Sequence, residues 1–180
     1  MLNIEVMSDV LRRVKEGRSL SERIASYIPG YRGYKEKELR READRLIREH
    51  LLRRLEPAYR DFKSNMLAVA AFGDPALMSV YNQTQALFDR VISKLRTASY
   101  GYSGFFDAVK IRERELDRML EYDWRLVQAV EELASTARAV AAAEPSKLPD
   151  ALGNLRSKLL SFEKILTKRE EVIRGVVGEI

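Results

Sequence analysis

No cysteine occurs anywhere in the 180 residues. Disulfide staples, thiolate metal sites, nucleophilic thiols and thiol redox switches are excluded together. A single histidine, His50, removes every catalytic scheme that needs two imidazoles. Proline and glycine are scarce, at five and nine residues, which argues against collagen-like and low-complexity chains. Long apolar runs are missing as well. The longest, Met66–Phe72, falls far short of the ~20 residues that cross a bilayer. The start, Met-Leu-Asn-Ile-Glu-Val, has no basic-then-apolar leader, so the expectation is a cytoplasmic protein that is not integral to a membrane. Peripheral attachment through the first amphipathic stretch is disfavoured, because residues 1–31 carry a net charge of only +1 (5 basic, 4 acidic) and that stretch offers no bulky aromatic anchor. Asn and Gln are few, in line with the amide-poor, ion-pair-rich usage of thermophiles.

What the chain does have is charge and apolar residues in alternation. Charged residues make up 33% and apolar residues 46%, enough for one domain, residues 1–180, with a proper core. Lys plus Arg number 32 against 27 Asp plus Glu, a net charge of +5. The signs are mixed in every segment, which reads as solvated helix faces with i,i+4 pairing.

The periodicity is helical throughout, and the expected class is all-α. Gly73-Asp74-Pro75 supplies a helix stop, an N-cap and a first-turn proline. From there Leu77, Tyr81, Thr84, Phe88, Val91 and Leu95 recur at spacings of four and three, a coiled-coil-like seam in a helix over 75–98. A helix over 105–143 would bury Leu116, Met119, Leu120, Leu126, Val127, Val130, Leu133 and Ala137, with Trp124 nearby. A last helix over 149–176 shows Leu152, Leu155, Leu159, Phe162, Leu166, Ile173 and Val176 on one stripe. Arg169 interrupts that stripe, which predicts that the final turns lie at a bundle end or an interface. Two short helices are expected within residues 1–30, the second opened by a Ser19/Glu22 capping box. A basic helix over 35–72 contains Pro57, which is expected to kink or break it near Leu55–Glu56. Short connections would make sequential helices antiparallel neighbours in an elongated up-down bundle of four long helices, with the two short ones outside.

Two loops echo one another. Gly30-Tyr31-Arg32-Gly33-Tyr34 and Gly101-Tyr102-Ser103-Gly104-Phe105 both read Gly-Tyr-x-Gly-aromatic, each ahead of a charged helix. Downstream, Arg41–Leu46 is matched by Arg114–Met119, which suggests a duplicated loop-plus-helix unit. In an up-down bundle both loops would sit at one end. Either the glycines cap helices while the tyrosines plug the core, or the loops form an aromatic binding surface. The stretches IPGYRGYKEKELRREAD (28–44) and YSGFFDAVK (102–110) resemble segments of an uncharacterised prokaryotic family of all-helical proteins. That resemblance implies a helical fold and brings no activity with it.

Chemistry-bearing patterns are missing. The Glu-x-x-His motif of di-iron bundles fails, because Glu49 directly precedes His50 and Ile stands at position 47. No Gly-Lys dipeptide and no Gly-x-Gly-x-x-Gly occurs, so neither a P-loop nor a dinucleotide fingerprint is present. His50 reads as a packed helix histidine. No cofactor is implied. The expectation is therefore a non-enzymatic interaction or scaffold protein that takes a protein partner or a second copy, a homodimer for example. Its candidate partner surface is Tyr31, Arg32, Tyr34, Lys35, Tyr100, Tyr102 and Phe105. The alternative is binding of nucleic acid, or of another phosphate-rich surface, through the Arg-rich helix over 35–63 and its ridge of Lys37, Arg41, Arg45 and Arg48. A metal-dependent hydrolase using the carboxylates of 113–121 is a third, lesser reading.

Overall fold

The computed structural model describes residues 19–98 and 111–178, with side chains through residue 175. Among these residues the regular structure is helical, and no strand occurs. Helix α1, Leu20–Ala25, begins with the expected capping box: Glu22 N–H donates to Ser19 Oγ at 3.4 Å, and Ser19 N–H donates to the Glu22 carboxylate at 2.9 Å. After a 3₁₀ turn at Lys37–Leu39 come α2, Arg40–Lys63, and the short α3, Met66–Ala71. Helix α4, Pro75–Thr97, starts at the Asp74 cap, whose carboxylate accepts the Ala76 N–H at 2.8 Å. Helices α5, Glu113–Ala141, and α6, Leu148–Gly178, follow. The two short helices expected within residues 1–30 are met by α1 in part, and residues 1–18 lie outside the described residues.

The apolar periodicities read from the sequence are the buried faces. Every position of the α4 seam is buried, as is the whole expected line of α5. On α6 the stripe from Leu152 to Ile173 is buried too, while the Val176 side chain lies outside the described ones. Pro57, however, neither ends nor divides α2, which runs through it to Lys63. Leu55, Ala58 and Phe62 are buried on either side of it. Packing there outweighs the lost N–H and the ring clash, a deficit of about 3 kcal/mol relative to alanine. The break comes instead at Ser64–Asn65. Ser64 Oγ and Asn65 Nδ2 both donate to the Asp61 carbonyl, at 2.7 and 3.2 Å, so side chains compete for the helix's terminal acceptors. The single helix expected over 35–72 is thus a 3₁₀ turn and two α-helices.

Named contacts give the sense of each helix pair. Arg96 reaches Glu56 and the Phe62 ring stacks on Tyr81 at 4.5 Å, so α2 and α4 run antiparallel. Lys158 reaches Glu132 and Arg169 reaches Asp123, so α5 and α6 also run antiparallel. Arg90 to Glu163 and Lys94 to Thr167 set α4 and α6 side by side in the same sense. Asp44 and Asp123, both held by Arg169, and Arg54 to Glu131 do the same for α2 and α5. Extensive packing joins α2 to α5 and α4, and α6 to α5 and α4. The expectation that all sequential helices are close neighbours therefore does not hold for α4 and α5. Fifteen residues, 98–112, separate these two helices, and the neighbour rule belongs to connections of a few residues.

Candidate functional site

The first Gly-Tyr-x-Gly loop follows α1, where Tyr31 N–H closes a turn on the Ile28 carbonyl at 3.2 Å. Gly30 and Gly33 have φ of +85° and +79°, a backbone region in which a Cβ is strained. At Gly33 a Cβ would also lie 3.5 Å from the Ser21 side chain and 3.6 Å from Leu120. These two left-handed residues turn both tyrosines inward. Tyr31 is 4% exposed and Tyr34 is fully buried, with the rings edge to face at 6.3 Å. The expectation that these rings present a docking surface is corrected: they plug the core.

Their hydroxyls meet a polar cluster built from α2, α5 and α6. Tyr34 OH donates to Asp123 Oδ2 at 2.6 Å, and Tyr31 OH donates to the same oxygen at 3.3 Å. Arg169 Nε donates to Asp123 Oδ1 at 2.6 Å. Its Nη2 donates to Asp44 Oδ1 at 2.9 Å and to Tyr34 OH at 3.0 Å. Arg48 Nε donates to the other Asp44 oxygen at 2.8 Å, and Arg40 Nε donates to the Tyr34 carbonyl at 3.0 Å. Every one of these contacts to Asp123 comes from a donor, so its carboxyl serves as the ionised acceptor. The carboxylates of Asp44 and Asp123 are matched by the guanidiniums of Arg48 and Arg169.

Burial governs the protonation behaviour. Desolvation pushes the Asp123 carboxyl above the ordinary aspartate value, against the opposing pull of Arg169 and the Tyr34 hydrogen bond. It also raises both tyrosines well above 10.0, reinforced for each by the nearby Asp123 charge. Burial works against the charged form of Arg169 too, but Asp123, Tyr34 and Asp44 outweigh it and hold the guanidinium well above its ordinary value. A cluster so closed to water can hold helices in register. Arg48, partly buried, is its most exposed member.

The sequence reading did not find this cluster: Arg169, expected at a bundle end or an interface, is buried at 2% exposure among helices of its own chain. The signal was one of phase. Asp44 falls in line with buried Ala43 and Ile47, Asp123 with Leu116, Met119 and Leu126, and Arg169 with Leu166 and Ile173. Charges of opposite sign at core phase on three helices are expensive unless they meet. The proposed echo keeps phase at Ala43 and Leu116, both buried, and loses it at Asp44 and Asp117, the first buried and the second exposed; its second loop lies outside the described residues.

Other expected site residues scatter. Arg32 and Lys35 are exposed, and Lys35 Nζ lies 3.7 Å from Glu113, which places the beginning of α5 beside the first loop. Tyr100, Tyr102 and Phe105 lie outside the described residues. On the basic ridge, Lys37 and Arg41 are exposed. Arg45 is held by Glu42 and Glu49 at 2.6 and 2.5 Å, while Arg48 belongs to the buried cluster. Arg54 pairs with Glu131. Beside that pair His50 is buried, its Nε2 3.7 Å from Glu131 and without a hydrogen bond, and burial holds the imidazole below 6.5 and neutral at pH 7. Among the described residues no group of three or more His, Asp or Glu side chains is arranged to hold a metal ion. No described helix is long and apolar enough to cross a membrane.

The longest apolar run of the chain has the opposite fate from the tyrosines. In Met66–Phe72 only Val69 is buried; Met66 is 43% exposed, Leu67 83% and Phe72 40%. Ala68, Ala70 and Ala71 are exposed as well, as are Pro75 and Ala76 beyond the turn. Gly73, at φ +63°, reverses the chain there. This apolar tip stands at the far end of α2 from the tyrosine loop, about 36 Å away along 24 helical residues. Comparison with protein-family models, with curated proteins and with solved structures finds no match to this chain.

Proposed function

We propose that the protein is a non-enzymatic interaction scaffold: an up-down bundle of four long helices, locked by the buried Tyr-Asp-Arg cluster, that offers its apolar tip to a partner. The contrast between the two ends supports this reading. At one end the polar groups capable of chemistry are sealed and mutually satisfied. At the other, an apolar helix lies open to water, and exposed apolar patches mark contact surfaces. The single observation that carries the reading is Leu67, 83% exposed in the middle of the longest apolar run of the chain. The partner surface expected at the loops moves accordingly from Tyr31 and Tyr34 to residues 66–76.

The test is site-specific photo-cross-linking of the full chain in cells that express it. A photo-reactive side chain at position 67 is expected to give a discrete protein adduct. The same group at Leu160, an isolated exposed leucine on α6, is expected to give none. No discrete adduct at position 67 overturns the reading.

A further inference from the structure

We propose that the occupant of the apolar tip is a second copy of this chain, with α3 of one protomer lying antiparallel across α3 of its partner about a two-fold axis. This rests on the interaction reading above and names the partner.

Charge comes first. One residue in three is charged in the chain as a whole, yet residues 64–73 contain none. A charged face laid on this patch would lose hydration without gaining a counter-charge. The tip of another copy meets that condition by construction. The uncharged segment is moreover bracketed by Lys63 on one side and Asp74 on the other. Lys63 Nζ lies over the Tyr59 ring at 4.3 Å and Asp74 caps α4, so a two-fold axis near Ala68–Val69 lays uncharged surface against uncharged surface.

Size complementarity points the same way. On α3 the buried Val69 faces α4, and Leu67 and Ala71 lie on the opposite side of the helix. Reversal about the same axis sets the large Leu67 against the small Ala70–Ala71 of the partner, twice over. That is the isologous arrangement a symmetric dimer requires. Pairing in the parallel sense would put Leu67 on Leu67 and Lys63 beside Lys63.

The area sets the strength. A six-residue helix with Phe72, Pro75 and Ala76 is smaller than the roughly 800 Å² per partner of a standard interface. The dimer is accordingly weak and populated only at high protein concentration. A lipid surface is a poorer match, because interfacial helices carry a basic face and α3 carries no charge.

Sedimentation velocity on the purified full chain, from about 5 to 500 μM, tests this. The expected result is a reversible monomer–dimer equilibrium. Leu67→Glu should make the chain monomeric at every concentration while its helicity and melting curve stay unchanged, because Leu67 faces water in the monomer. Leu160→Glu should leave the equilibrium as it was. A chain that stays monomeric throughout, or a dimer that survives Leu67→Glu, overturns the proposal. If the purified chain is monomeric while position 67 still cross-links to a different protein in cells, self-association fails and the interaction reading stands. If position 67 gives no adduct of any kind, both fail. Binding to neutral or anionic vesicles by the monomer, abolished by Leu67→Glu, would assign the tip to lipid and likewise overturn the dimer.

Discussion

At the scale of single residues, the cluster around Arg169 decides most. Removing one member of a buried charge pair strands its counter-charge, at about 3–5 kcal/mol. Arg169→Met, which leaves Asp123 and part of Asp44 unmatched, is expected to lose about that much in urea unfolding. Tyr34→Phe removes one donor to Asp123 and one acceptor from Arg169, and should lose about 1–3 kcal/mol in the same assay. The tyrosines also set an alkaline limit. Both have folded-state pKa values raised above the 10.0 of an exposed tyrosine, so above pH 10 the unfolded chain releases protons that the folded chain retains. Their contribution is complete below pH 10 and is lost as pH climbs toward the raised folded values. A Tyr31→Phe/Tyr34→Phe chain should be less stable at pH 7 yet show a shallower decline above pH 10, read as unfolding midpoints across a pH series. Glu163 works in the other direction. The hydrogen bond from Arg90, with the charges of Arg90 and Lys94, lowers its carboxyl below 4.5, so its contribution is present above that value and fades as pH falls through the lowered one. Glu163→Gln should flatten the acid limb of the same series.

At the scale of helices, the glycines separate local strain from local gain. Gly73 has φ +63° and open space around it, so Gly73→Ala meets only backbone strain and should lose about 1–2 kcal/mol. Gly153 lies within α6 at ordinary helical φ with nothing within 4 Å, and Gly153→Ala should gain about 0.5–1 kcal/mol. Both are checked by the same unfolding curves. Helices were also the most legible level of the chain. Spacings of three and four at Leu77–Leu95 and Leu116–Ala137 name the buried faces directly, because burial of one stripe is what makes such a helix stable in water. Asp74-Pro75 and Ser19/Glu22 mark starts because their side chains satisfy orphan N–H groups. Pro57 misled for a physical reason: its local deficit is fixed, while the packing around Leu55, Ala58 and Phe62 that offsets it depends on partners distant in sequence, such as Tyr81 and Phe88 in α4. Tyr31 and Tyr34 were ambiguous on the same ground, since their direction depends on Asp123 and Arg169, distant in sequence. Met66–Phe72 reads like core by composition, and only the turn at Ser64–Asn65 carries it out into solvent.

At the scale of the whole molecule, several arginines of the basic helix are already matched inside the chain. Of the arginines on α2, Arg45 is held by Glu42 and Glu49, Arg48 by Asp44, Arg54 by Glu131, and Arg40 is buried. Counterion release from nucleic acid needs guanidiniums that are not already matched. A mobility-shift assay with duplex DNA or RNA at 0.15 M salt is expected to show no complex, and a retained band that weakens steeply with added salt would revive the alternative. The buried cluster also imposes a timetable on synthesis. Tyr34, Asp44 and Asp123 leave the ribosome before Arg169, which stands 46 residues after Asp123. At roughly 5–20 residues per second, Asp123 waits a few seconds for its guanidinium, whereas Asp44 already has Arg48 one turn away. Until α6 emerges, Asp123 lacks the guanidinium that compensates its burial. Closure of this cluster is thereby deferred until α6 has been made.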